Sequence, residues 1–232
     1  MEDSFVRSND AMNYYSYKIY KLPDIPESLK DEICRFVCSL CPAVEVGYIE
    51  ERFLMYPEMI IMEKDGGLCA VQFLNKFSFN EKAYCYMDPL YSKGGAFFPL
   101  FIHFMNDMIN AFPGYPIILS TEFENPALFL HFKTLFSTRS YPCLVQKATP
   151  VFVRNELAVF EKEIGHIKDL NPFNMSSSGK LSHCSGTKRP EVVIKWMENR
   201  SVKIRSGGNQ VFIAFIENHE KKKVLSELTT FS

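Results

Sequence analysis

The segment from Met87 to Phe97 (Met-Asp-Pro-Leu-Tyr-Ser-Lys-Gly-Gly-Ala-Phe) places a carboxylate, a cation and paired glycines within one short stretch. A strand that stops in such a loop and then opens a helix leaves backbone N–H groups converging at the helix N-terminus, an arrangement that holds anions. Gly94 and Gly95 let a ligand approach the main chain closely, and Lys93 adds a point charge suited to phosphate. Glycine is also required by any tight strand-to-helix turn, so the loop alone leaves a purely geometric role open. Asp88, Glu122 and Glu124 are carboxylates at the ends of apolar runs, a residue type able to act as a general base, though acids beside a helix cap also serve as caps or stay solvated.

The elements that must position these groups are legible from periodicity. Asn13 to Leu22 reads as a strand, and a helix runs to about Cys41, where Pro42 stops it. Met59 to Glu63 and Leu68 to Phe79 form a hairpin across Asp65-Gly66-Gly67, and Lys82 to Met87 completes an antiparallel meander that Asp88-Pro89 breaks. Phe97 to Phe112 carries a helical apolar stripe, Pro116 to Thr121 a buried strand, and Asn125 caps the helix that follows. Strand, glycine loop, helix and strand make a βαβ unit with its two strands parallel. Beyond Val151 the pattern predicts helices at Glu156–Lys168, Pro190–Asn199 and the tail from His219, a strand at Gln210–Ile216, and a mobile polar loop over 171–188. The expected domains are a tail (1–12), a core (13–150) and a C-terminal extension (151–232) that supplies a last strand to the sheet.

This order of elements resembles the GNAT superfamily of N-acetyltransferases over residues 13 to 147, an α/β fold whose mixed sheet splays between strands four and five. Met87-Asp88-Pro89-Leu90-Tyr91 is similar to the family's hydrophobic-Asp-Pro-x-Tyr, and Ser92 to Phe97 occupies the place of its Arg/Gln-x-x-Gly-x-Gly/Ala loop. Asn125-Pro126-Ala127 opens a helix similar to the family's Asn-Pro-Ala helix. Ser92 and Phe97 depart from the loop pattern, and Phe132 stands where many members carry a tyrosine that protonates the leaving thiolate. A phenyl ring has no proton to give. The resemblance implies acetyl-CoA as cosubstrate. Its pantetheine would lie along Tyr86 and Met87, its pyrophosphate on Ser92, Lys93, Gly94, Gly95, Ala96 and Phe97, and its thiol end near Asn125 and Phe132. An amine acceptor, small molecule or peptide, would attack the thioester directly, with Glu122 as the preferred base and Glu124 or Asp88 as the alternatives. The rival reading is a noncatalytic binding protein that uses a basic C-terminal extension.

Other chemistry-bearing residues have plainer readings. His131 and His103 sit on apolar helical patterns and read as satisfied, partly buried histidines, and Cys143 lacks a positioned base. Cys34, Cys38 and Cys41 have the spacing of a radical cluster motif but lie within a helix, with no fourth ligand for zinc; no metal is expected. Lys180 to Arg205 is a basic run around Trp196 that reads as solvated surface.

The 232 residues, 47% hydrophobic and 23% charged, suit a globular fold of one large domain or one with an extension. Net charge is −1, giving no global field for nucleic acid or anionic membrane. No apolar run is long enough to span a bilayer and the first ten residues lack the apolar core of a secretory signal. Seven cysteines, an odd number, read as reduced thiols in a cytoplasmic protein.

Overall fold

A computed structural model describes residues 15–136, 139–145, 148–165, 167–178 and 190–230; the expected tail, 1–12, lies outside them. Strand β1 (Tyr15–Lys21) pairs antiparallel with β2 (Glu58–Lys64), β2 with β3 (Gly67–Phe79), and β3 with β4 (Lys82–Ser92). Both hairpin turns use consecutive left-handed residues, Asp65-Gly66 at φ 53° and 77° and Asn80-Glu81 at 46° and 57°. That is the twist-matched geometry that makes Asp-Gly a hairpin signal. Helix α3 (Phe97–Ala111) then crosses to β5 (Ile117–Phe123), which lies parallel to β4. Strand β8 (Gly208–Ile216) pairs antiparallel with the far side of β5 and carries two short partners, β6 (Ser140–Tyr141) and β7 (Ser176–Ser178). The resulting order is β1-β2-β3-β4-β5-β8-β6, with β7 beside β8. The meander followed by a βαβ unit is the mixed sheet that the sequence predicts.

Strand alternation sends side chains into two cores. Ala83, Cys85, Met87, Ile117 and Leu119 face α3, α4 (Pro126–Phe136), α6 (Glu191–Asn199) and α7 (Lys221–Thr229). Tyr84, Tyr86, Ile118, Val211 and Ile213 face α1 (Glu27–Leu40), α2 (Val46–Met55) and α5 (Val151–Ile164). Helices on both faces bury each sheet layer, which is what the near-continuous apolar runs of β4, β5 and β8 require.

Several boundaries differ from the sequence reading. Strand β4 does not stop at Met87. Gln72 pairs with Leu90 and Leu74 with Met87, so Asp88 and Pro89 bulge opposite Phe73 and the strand resumes to Ser92. A bulge tolerates a proline, which has no N–H to lose from the ladder. Helix α2 was not anticipated, because its apolar face is interrupted by Glu50, Glu51 and Arg52 while Leu54 points outward, 88% exposed. Helix α5 starts five residues early, at Val151 after Pro150. Residues 171–178 are ordered by an Asn171–Ser176 bridge and by β7, in place of the first part of the expected loop; 179–189 lie outside the described residues. Cys41 is disulfide-bonded, which corrects the reading of seven reduced thiols; Cys34, Cys38, Cys69, Cys85 and Cys143 are free. No helix among the described residues is long and apolar enough to cross a membrane.

Candidate active site

Parallel pairing of β4 with β5 runs from Ala83–Ile117 to Met87–Thr121 and ends there. Both strands continue, β4 to Ser92 and β5 to Phe123, held on their outer sides by β3 and β8. Between them the sheet opens into a V whose inner edges have no ladder partner. The bulge at Asp88-Pro89 turns β4 away, and this is the local cause of the opening.

Beyond the V lies the glycine loop. Lys93 N donates to Cys69 O (2.8 Å) and Ala96 N to Lys93 O (3.1 Å), so these two amides are spent on the turn. Among the described residues no acceptor faces the amides of Gly94, Gly95 or Phe97. Gly95 has φ +83°, and a Cβ placed on either glycine would meet nothing within 4 Å. Among the described residues no side chain fills the space next to either glycine, so the loop is open above its donors. Lys93 is exposed, its ammonium 5.5 Å from the centre of the Phe36 ring.

Asp88 and Glu122 project toward the same face, the one covered by α1, α2 and α5. Asp88 is buried and its carboxylate meets Arg52 Nε at 2.8 Å. Tyr56 donates its hydroxyl to the same carboxylate, and Gln72 Nε2 donates to the Asp88 carbonyl. Burial raises the Asp88 pKa to about 6, Arg52 and Tyr56 pull it down, and Glu122 pushes it up. Glu122 is held at both oxygens: the Tyr86 hydroxyl donates to Oε2 and the Ser177 hydroxyl to Oε1. Tyr86 is fully buried, its own ionisation pushed far up by burial and by Glu122, so it serves as a fixed donor. The rings of Tyr56 and Tyr86 stack with centroids 6.4 Å apart, tying the Asp88 and Glu122 clusters together. The arrangement is two neighbouring carboxylates, one with its pKa raised to about 6 by burial, at the mouth of a split sheet. Such groups can take a proton from an ammonium.

The opposite face of the mouth is aromatic. Phe132 is buried, its ring 5.0 Å from that of Phe123, 5.4 Å from Phe101 and 5.8 Å from Phe97 and Phe212. Phe97 and Phe132 thus act as core packing between α3 and α4. Asn125 Oδ1 accepts from Ala127 N at 2.9 Å, the expected cap of α4. Met87 is buried in the α3-side core and Ala96 lies under the loop, also buried, whereas Ser92 is half-exposed at the strand end. The structure brings Asp88, Glu122, Tyr86 and the 92–97 loop to one end of the sheet, with Phe132 and Phe97 turned into the core.

Over about half of its length the chain is similar to solved structures of N-acyltransferases. An acyl-CoA N-acyltransferase from Pseudomonas aeruginosa matches at 12% identity over 53% of this chain and 87% of that one, with a TM-score of 0.39. A ribosomal-protein-alanine N-acetyltransferase from Brucella melitensis matches at 15% identity over 46% and 79% (TM-score 0.35). An aminoglycoside 6'-N-acetyltransferase from Enterococcus faecium matches at 12% identity over 46% and 61% (TM-score 0.35). The likeness is one of fold. No family model and no curated protein sequence matches.

Arg52, Tyr56 and Ser177 were not expected at the site. Arg52 lies in the last turn of α2 and Tyr56 is its C-cap, its amide donating to the Arg52 carbonyl at 3.1 Å, a proximity that becomes readable only once that helix is recognised. Ser177 belongs to a Ser-rich stretch that composition alone assigns to a loop. His131 is exposed, and His103 stacks on Tyr17 at 5.0 Å, far from this chemistry in the fold, on the α3 side. The basic run is partly consumed: Arg205 pairs with Glu191 and Glu198, and Arg200 lies over the Trp196 ring.

Proposed function

We propose that the chain transfers an acetyl or other short acyl group from CoA to an amine by direct attack on the thioester. The observation that carries this reading is the V beyond Met87 and Thr121, open over a glycine loop with unspent amides and flanked by two carboxylates on one face. Gly94, Gly95 and Phe97 would donate to a diphosphate, and the unpaired edges of β4 and β5 would receive an amide-bearing arm as a third strand does. The bound thioester supplies the activated acyl carbon. The chain's own residues do the rest: Glu122, fixed by Tyr86 and Ser177, or Asp88, fixed by Arg52 and Tyr56, takes the proton of the acceptor ammonium. Two acids at the acceptor face favour a cationic amine.

A second reading, a GNAT-type protein that binds without transferring, is favoured by one observation. The position of the expected thiolate acid is Phe132, buried among rings. Thermal unfolding with acetyl-CoA and with CoA, followed by thiol release against a panel of amines, separates the two. Ligand at about 100 times Kd should stabilise by about 2.7 kcal/mol. Turnover supports transfer, stabilisation without turnover supports the binder, and no stabilisation overturns both.

Gly94 offers a clean check of the loop. It has ordinary φ and open space around it, so Gly94→Val should change stability by no more than about 0.5 kcal/mol. The added side chain would stand between a diphosphate and the amides, so the stabilisation by acetyl-CoA should disappear. Retained stabilisation in a folded Gly94→Val protein would remove the loop from the binding site.

A further inference from the structure

We infer that a cavity at the opposite end of β4 and β5 from the V binds a small aromatic carboxylate. The cavity has a volume of about 430 Å³, and its principal walls are Lys82, Arg139, Tyr141, Phe152, Glu156 and Phe215. Ligand pockets typically span about 300 to 1,000 Å³. Lys82 begins β4 and Ile117 begins β5, so the cavity sits where the two strands enter the sheet, a full strand length from Asp88 and Glu122.

One wall is a triangle of rings. Tyr141 and Phe152 are 5.5 Å apart, Phe152 and Phe215 5.6 Å, and Tyr141 and Phe215 6.0 Å, all at steep interplanar angles. Phe152 is 51% exposed, so part of its surface is open to a ligand. Each T-shaped contact covers one ring face with another ring's edge, and the half-exposed Phe152 keeps a surface for an added aromatic body.

The charged walls are two cations, Lys82 and Arg139, and two carboxylates, Glu156 and Glu217, so the free hydrogen-bonding capacity of each decides what fits. Glu156 is engaged at both oxygens, accepting from Lys82 Nζ at Oε1 (2.5 Å) and from the Tyr84 hydroxyl at Oε2 (2.6 Å). Glu217 lies at the exposed rim and accepts the Glu220 amide in a capping box. The cations have donors to spare. An ammonium carries three hydrogens and a guanidinium five. Lys82 spends one on Glu156 and its side chain is 40% exposed. Arg139 gives Nε to Glu220 and Nη1 to Glu227, both at 3.0 Å, and among the described residues no acceptor meets its Nη2. Unspent donors beside open ring faces fit a planar acid: the ring against Phe152 and Phe215, the carboxylate toward Lys82 and Arg139. Neither group belongs to the proposed transfer machinery, so this inference stands or falls independently of it.

The probe is 2-naphthoate, titrated calorimetrically into the full chain, with 2-naphthylmethylamine as the control of opposite charge. Saturable binding of the acid, at least tenfold tighter than of the amine, is expected, and Phe152→Ala and Lys82→Gln should each weaken it at least tenfold. Saturating acetyl-CoA should leave the isotherm unchanged. Nuclear Overhauser contacts from naphthoate protons to the Phe152 and Phe215 rings, sought in the wild-type chain, keep the test independent of how the variants fold. Absence of saturable binding, equal binding of the amine, competition by acetyl-CoA, or contacts to other rings would each overturn the assignment.

Discussion

Glu122→Gln should lower the rate of thiol release by about 100-fold to 10,000-fold, the usual contribution of a positioned general base. Stabilisation by acetyl-CoA should survive. The substitution keeps the shape of the side chain and one carbonyl oxygen to accept from Tyr86 or Ser177, so its effect on folding is small beside its effect on proton transfer. Asp88→Asn provides the comparison. If Asp88 is the base, its variant takes the large loss and Glu122→Gln does not. The pH profile then adds a second reading. A base works only when deprotonated, so kcat/KM limited by Asp88 would rise as pH passes upward through about 6 and level off above it. Rates unaffected by both substitutions would remove the carboxylates from the mechanism.

The largest stability effect should come from Arg52→Met, at about 3–5 kcal/mol, because it leaves the buried Asp88 carboxylate without its cation. The sign of the pH dependence follows from linkage. Asp88 has its folded pKa raised from 3.8 to about 6, so the native state holds the proton more tightly than the unfolded chain. Stability from this group is greatest at low pH, declines as pH rises from about 4 to about 6, and is flat beyond. Removing Arg52 takes away a favourable charge, raises that pKa further and extends the decline upward. Urea unfolding should therefore find a larger deficit for Arg52→Met at pH 8 than at pH 5. The double variant with Asp88→Asn should recover most of the loss at pH 8, since no buried charge then remains unpaired. Equal deficits at the two pH values would show that packing, and not charge, sets the cost.

The strand order was legible because the signals were strong and local. Asp65-Gly66, the alternation of β2 to β4 and the glycine loop each specify geometry within a few residues. The failures have equally local causes. Asp88-Pro89 reads as a strand end because proline cannot donate, yet a bulge removes that requirement, and whether a bulge forms depends on the partner strand. Helix α2 has a polar side that turns inward to meet Asp88, so its periodicity looks broken when scored by hydrophobicity alone. A buried arginine is invisible to an apolar pattern. Ser177 reaches Glu122 only because β7 is laid against β8 by a tertiary contact far along the chain. The aromatic packing of Phe132 was foreseeable in kind, from Phe97 and Phe101 at helical spacing, but not in its partner Phe212.

The seating of β8 against β5 also governs how the protein can be made. Ile117 finds its partner in Ile216, and until that later segment emerges from the ribosome the growing chain carries a bare apolar edge beside the opening of the sheet. Burial of that edge therefore waits for residues 208–216, and a chain truncated before Gly208 would expose it as a sticky surface.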